Sequence, residues 1–159
     1  MSLYMETTKI AAERTAQEIA TLLAEAGATA VLTEYGKDRK ICGLAFKLLV
    51  GNTEVPFTLP ARIEPVFKYL QKCRPPKWRQ RKEQEDRAQA ERVAWRQLYR
   101  WILAQLAMID TGMVAAQEVF LPYLQTAPKE TLYDRMMAGG RLALQAAPGE
   151  DSNVKEFRR

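Results

Sequence analysis

Apolar residues recur along the chain at two spacings, and the change from one spacing to the other predicts its elements. From Thr8 to Ala26 they recur every three or four residues and Gly27 follows, which predicts an amphipathic helix that ends at the glycine. The spacing then shortens to two in three runs separated by polar turns, at Ala28–Tyr35, Ile41–Val50 and Val55–Leu59. These runs predict a three-stranded antiparallel meander.

Helical spacing returns in the second half of the chain. It predicts a helix over Ile63–Leu70, ended by Pro75 and Pro76, and a long helix from about Trp78 to Asp110. A shorter helix is expected over Val114–Leu124, and a last turn or two over Thr131–Ala138.

These elements predict an α+β protein: a three-stranded antiparallel sheet with flanking helices in the order α-β-β-β-α, then a long basic-to-amphipathic helix and one or two short helices. Pro56 lacks a backbone donor, so the third strand should be an edge strand or carry a bulge. We expect a single domain over residues 4–140, a basic hinge near 72–82 and a flexible polar tail over 146–159. The first third of the long helix, Arg79–Glu91, has almost no apolar residue and should project into solvent.

Positive charge is concentrated in one part of the chain. The 159 residues carry a net charge of +5, yet Lys68–Arg100 alone holds eleven Lys and Arg against four acids. Residues 72–82 contain six bases, no acid and a central Trp78, a composition typical of phosphate contact with an indole that can stack on a base. The candidate nucleic-acid-binding residues are Lys72, Arg74, Lys77, Trp78, Arg79, Arg81, Lys82, Arg92, Arg96, Lys37, Arg39 and Lys40.

The sequence argues against the common catalytic sites. It contains no histidine, which excludes His-based triads and His-ligated metals, and it has neither glycine-rich phosphate-binding motif. We therefore predict a non-enzymatic protein with no metal and no cofactor. Cys42 and Cys73 are expected to be reduced thiols, and the absence of a secretory signal or a long apolar run predicts a cytoplasmic protein without membrane contact.

Three stretches of the chain resemble small uncharacterised proteins encoded by bacteriophages and prophages. They are ETTKIAAERTAQEIATLLAEAGA near the start, FTLPARIEPVF, and ERVAWRQLYRWILAQLAMIDTGMVAAQEVFLPYL at Glu91–Leu124, and the resemblance spans residues 4 to 135. It implies a product acting inside a bacterial host, among replication or recombination functions, and supplies no catalytic residues. The order of elements is also similar in outline to the core of phage single-strand annealing proteins.

Two functions remain open from the sequence. The first is a nucleic-acid-binding accessory protein of phage or prophage type that favours single-stranded DNA. The second is a protein-interaction module, such as a phage factor that binds or inhibits a host protein, with an exposed apolar patch at Phe120–Leu124 or Trp95–Trp101. Burial within the fold is the favoured interpretation of both segments, and the alternative for the bases is a solvated face neutralised by Glu83, Glu85 and Asp86. The run at Phe120–Leu124 and the projecting helix would also allow a homo-oligomer.

Overall fold

A computed structural model describes residues 3–73, 76, 80 and 82–140, and the predicted α+β class is confirmed. The expected tail at 146–159 lies outside the described residues. The elements are α1 (Ala12–Glu25), β1 (Ala30–Tyr35), β2 (Ile41–Val50), β3 (Thr53–Pro60), α2 (Ile63–Lys72), α3 (Glu83–Asp110), α4 (Ala116–Phe120), a 3₁₀ turn (Leu121–Tyr123), β4 (Gln125–Ala127), β5 (Glu130–Thr131) and α5 (Leu132–Ala138).

The sheet is an antiparallel meander in the order β1-β2-β3. Its register places Val31, Phe46 and Phe57 side by side across the three strands. β3 is an edge strand, as the proline at position 56 predicts. The outer side of that edge is covered within the chain, because Leu124 forms an isolated antiparallel bridge with Phe57.

Helix α1 begins four residues later than the sequence pattern predicts. Residues 3–10 instead run as a non-helical segment beside α3. The Gln89 side-chain amide donates hydrogen bonds to the backbone carbonyls of Glu6, at 2.8 Å, and Thr8, at 2.9 Å. The Gln97 amide donates to the carbonyl of Tyr4 at 2.8 Å. Carbonyls that a helix would use internally are thus occupied by side chains of α3.

The main core lies between α1, one face of the sheet and the C-terminal half of α3. Phe46 stacks on Phe57 with ring centroids 5.4 Å apart, and Phe120 meets Phe46 edge-on at 5.2 Å. Trp95 and Ile102 of α3 are fully buried beneath these rings and α1. Burial of this much aromatic area is the dominant stabilising contribution in a domain of this size.

A second, smaller core joins α2 to the start of α3. Phe67 and Leu70 of α2 pack on Ala90, and Leu3 from the N-terminal segment covers them. The expectation that residues up to Glu91 project into solvent is wrong for the described part of α3. Its first turns bury Ala90 fully, and Asp86 and Gln89 nearly so. An alanine lets α2 approach closely, so the contact leaves no large apolar side chain for the sequence pattern to reveal.

The elements from α4 to α5, residues 116–138, form a C-terminal module that lies along β3. The helix predicted over Val114–Leu124 is shorter than expected, because α4 ends at Phe120 and a 3₁₀ turn containing Pro122 follows. The β4–β5 hairpin is absent from the sequence prediction, since its strands are only three and two residues long. The last helix is confirmed, and Thr131 caps it by accepting a hydrogen bond from the Asp134 backbone N–H at 3.2 Å.

Two further observations concern membrane-spanning helices and the two cysteines. No helix within the described ranges is both long and apolar enough to cross a membrane. Cys42 and Cys73 are free thiols, the first half-buried and the second exposed.

Candidate nucleic-acid interface

The basic segment connects two helices that pack on each other. Lys72 lies in the last turn of α2 and Lys82 is the N-cap residue of α3, and both side chains are exposed. The five site residues between them lie outside the described residues: Arg74, Lys77, Trp78, Arg79 and Arg81. The two ends of the connection are therefore fixed, at the tip of a helical hairpin.

Contacts between α2 and α3 hold the hairpin together. The Arg87 guanidinium lies 4.2 Å from the centroid of the Phe67 ring and its Nη1 is 3.2 Å from Oε2 of Glu64. A cation over an aromatic face contributes about 0.5–1 kcal/mol at an exposed site. Arg87 thus has a structural partner on α2 while its side chain stays 45% exposed.

One exposed base near the end of α2 is absent from the candidate residues that the sequence predicts. Lys68 lies on α2 one turn before Lys72, and both are solvent-exposed. The signal was present in the sequence, because positions four apart share a helix face. An open cleft of about 620 Å³ at the start of α3 is lined by Lys82, Glu83, Gln84 and Arg87.

The turn between β1 and β2 lies beside the first third of α3. The Lys40 ammonium Nζ is 2.6 Å from Oε1 of Glu91. Glu91 follows Lys82 by nine residues, so the two positions are separated by about 13 Å along the helix axis. Lys37 and Arg39 are exposed on the same turn. The contact thus places Lys40 beside the first third of α3, the helix at whose start the connection ends.

Arg92 and Arg96 have partners within the fold. Arg92 donates from Nε and Nη2 to Oε1 of Gln89, at 3.1 and 2.6 Å. Arg96 donates to the Glu18 carboxylate and its guanidinium lies 4.2 Å from the centroid of the Tyr99 ring. Only 11% of the Arg96 side chain is exposed. Arg96 therefore has little surface to offer a ligand.

The aromatic residues of α3 are mainly structural. Trp95 is fully buried, as its place in the predicted apolar stripe implies. Trp101 is half-buried against Phe120 and Tyr123, with ring centroids 6.2 and 5.5 Å away. Phe120 is buried as well, so Leu121, at 53% exposure, is the most exposed member of the apolar run.

A groove of about 480 Å³ remains where Trp101 meets the C-terminal module. Its walls carry Trp101, Tyr123 and Tyr133 together with the Arg62 side chain. Arg62 lies over the Tyr133 ring at 5.7 Å from its centroid and has an Nη2 atom 3.7 Å from Oδ1 of Asp134. The groove therefore combines apolar rings with one partly neutralised cation.

The described ranges hold no group of three or more cysteine or acidic side chains placed to bind a metal ion. No family model, no curated protein and no solved structure matches the chain.

Proposed function

We propose that this chain is a non-enzymatic nucleic-acid-binding accessory protein of phage or prophage type that favours single-stranded DNA. The bases between Lys72 and Lys82 would contact the phosphate backbone, and Trp78 would stack on an unpaired base. This role needs no catalytic group and no cofactor. The host cell would be bacterial and the compartment its cytoplasm.

The Lys40–Glu91 contact is the observation that supports the proposal most. It brings the β1–β2 turn, with exposed Lys37 and Arg39, alongside the first third of α3. Lys72 and Lys82 lie at the start of that helix and the end of α2. The bases of the turn and of the connection thus belong to segments that both meet the first third of α3, which supports a shared phosphate-binding surface.

The acids in the first turn of α3 limit the length of this surface. Glu83 and Glu85 are exposed next to Lys82, and the Glu85 carboxylate accepts a hydrogen bond from the Lys82 backbone N–H at 3.3 Å. Acids at a helix N-terminus interact favourably with its dipole. They would also repel a phosphate, so a bound strand should run over the connection and the β1–β2 turn rather than along α3.

Oligonucleotide binding across a salt series tests the proposal. The logarithm of the affinity for single-stranded DNA should fall linearly with the logarithm of salt concentration, with a slope of about −0.7 per phosphate contacted. Absence of binding at low salt, or an affinity that does not change with salt, would refute it. A matched duplex of the same length should bind more weakly, because its bases cannot stack on Trp78.

A charge-matched pair of triple variants makes the test specific. The variant with Arg79→Ala, Arg81→Ala and Lys82→Ala should bind all sequences more weakly and with a flatter salt slope. The control variant with Lys47→Ala, Lys129→Ala and Arg135→Ala removes the same charge from β2, the β4–β5 turn and α5. Equal loss of affinity in both triples would mean that only net charge matters.

The groove beside Trp101 favours a second candidate function, a protein-interaction module such as a phage factor that binds a host protein. Its aromatic walls could accept an apolar side chain of such a partner. Capture from bacterial lysate, with and without nuclease, separates the two functions. A partner that survives nuclease and is lost in Trp101→Ala supports the second function, whereas capture that nuclease abolishes supports the first.

A further inference from the structure

The two edges of the three-stranded sheet differ. The β3 edge is covered by the bridge from Leu124, whereas β1 has no strand neighbour on its outer side among the described residues. β1 pairs with β2 in regular register from Ala30 to Glu34, and a shift follows between Glu34 and Tyr35. An uncovered edge strand presents backbone N–H and C=O groups that another strand can pair with.

β1 has few of the features that usually prevent an edge strand from pairing with another strand. The strand contains no proline and no lysine, and its one charge, Glu34, is half-buried with its carboxylate against Gly43. Two large side chains are exposed along it, Leu32 at 66% and Tyr35 at 60%. Natural edge strands more often carry outward charges or prolines at such positions.

Opposite charges flank the two ends of the strand. Glu25 lies exposed in the last turn of α1, just before β1, and the turn after β1 carries exposed Lys37 and Arg39 together with Asp38. A second copy related by a two-fold axis would lie antiparallel. The start of its β1, with Glu25 and the Lys47–Glu54 ion pair nearby, would then lie at the same end of the joined sheet as Lys37, Asp38 and Arg39 of the first copy. An acid of one copy is thus brought to the same end as two bases of the other.

We propose that two copies of this chain associate through their β1 strands, which pair antiparallel and join the two sheets into one of six strands. Opposite residues in such a pair must lie on the same face of the sheet, which restricts the two-fold axis to registers centred on a single residue. Centring on Leu32 places the most exposed apolar side chain of the strand against its own copy.

Disulfide trapping tests the proposed register. In a background with Cys42→Ser and Cys73→Ser, Leu32→Cys should form a covalent dimer under mild oxidation. Directly opposite residues of antiparallel strands have Cα atoms about 4.5 or 5.5 Å apart, within the range that a disulfide spans. The matched control is Leu49→Cys, which is 58% exposed on β2 and distant from the pairing edge. Equal or lower dimer yield for Leu32→Cys than for Leu49→Cys would overturn the proposal.

Analytical ultracentrifugation over a concentration series tests the association itself. The native chain should show a monomer–dimer equilibrium, and Leu32→Lys should weaken it by about tenfold or more, because like charges would lie opposite each other. Leu49→Lys should leave the equilibrium unchanged. Circular dichroism of both variants confirms that the fold is kept. A native chain that is monomeric at every concentration, or a dimer that Leu32→Lys leaves intact, would disprove pairing through β1.

Discussion

At the scale of single residues, one polar side chain binds the N-terminal segment, which has no apolar pattern of its own, to α3. The Gln89 amide binds two carbonyls of the N-terminal segment, and its oxygen accepts from Arg92. The helical spacing of the sequence predicts that Gln89 is exposed. A sequence shows where polar residues lie along a helix, but it does not show which groups they bind. The place of residues 3–10 could not be predicted for this reason, whereas burial of Trp95 could.

Replacing Gln89 by leucine should loosen the N-terminal segment. The change leaves the Glu6 and Thr8 carbonyls without that donor, so the free energy of unfolding should fall by about 1–3 kcal/mol. Amide hydrogen exchange in residues 3–10 should become faster. Gln84→Leu, at an exposed position of the same helix, should change stability by less than about 0.5 kcal/mol. Similar effects of the two substitutions would contradict the structural role of Gln89.

The Glu18 carboxylate should make stability depend on pH. Its hydrogen bond from Arg96 holds its pKa below the ordinary value, with a smaller contribution from Arg14. The ionised form therefore stabilises the fold above the unfolded-state pKa, and this contribution is lost as the pH falls through the folded-state pKa. Because the Glu18 side chain is 31% exposed, we expect Glu18→Gln to cost only about 1 kcal/mol at neutral pH.

Chemical denaturation at neutral pH and at about pH 3 checks this expectation. The difference between native protein and Glu18→Gln should be full at neutral pH and smaller in acid, because protonation of Glu18 removes the ionised form. Glu13→Gln, an exposed carboxylate on the same helix, serves as the control and should differ by less than about 0.5 kcal/mol. A difference that is the same at both pH values would exclude an ionic role for Glu18.

Among the elements, α3 contributes buried residues to both cores. Its first half buries Ala90 beside α2 and the N-terminal segment, while its second half buries Ile102 and Leu106 against the main core. At 100° per residue, Ala90 and Trp95 are separated by about 140°, so the buried face changes sides near the middle of the helix. The apolar spacing predicted the burial of the second half of α3. It did not predict the burial of the first half, because the buried residue there is an alanine.

An Ala90→Leu substitution tests whether the start of α3 is packed. Ala90 is fully buried between α2 and α3, so the larger side chain should force the helices apart and cost about 1–3 kcal/mol. Ala104→Leu makes the same change at an exposed position of the same helix and should be nearly neutral. Thermal denaturation of both variants gives the comparison. If Ala90→Leu leaves the stability unchanged, the start of α3 is not packed and instead projects into solvent.

At the scale of the whole molecule, the described residues form two cores joined by one helix. The class, the strand order and the clustering of charge along the chain could be predicted, because periodicity and charge are local properties of a sequence. The contact of the β1–β2 turn with α3 could not, since Lys40 and Glu91 are far apart in the chain.

Removing the turn bases tests whether they act together with the connection. The double variant Lys37→Gln and Arg39→Gln should flatten the salt dependence of single-stranded DNA binding by up to about 1.4 logarithmic units per tenfold change in salt. The control, Lys129→Gln with Arg135→Gln, removes the same charge from the C-terminal module. If both doubles change the slope equally, the turn has no special place in the binding surface.

The bridge between Leu124 and Phe57 has a consequence for synthesis on the ribosome. Leu124 follows the end of β3 at Pro60 by 64 residues. At roughly 5–20 residues per second, about 3–13 s pass between release of the third strand and arrival of the residue that covers it. During that interval a nascent meander exposes both of its edges, and neighbouring chains on one messenger could pair before either is complete. Codon speed between positions 60 and 124 should therefore influence the yield of folded protein.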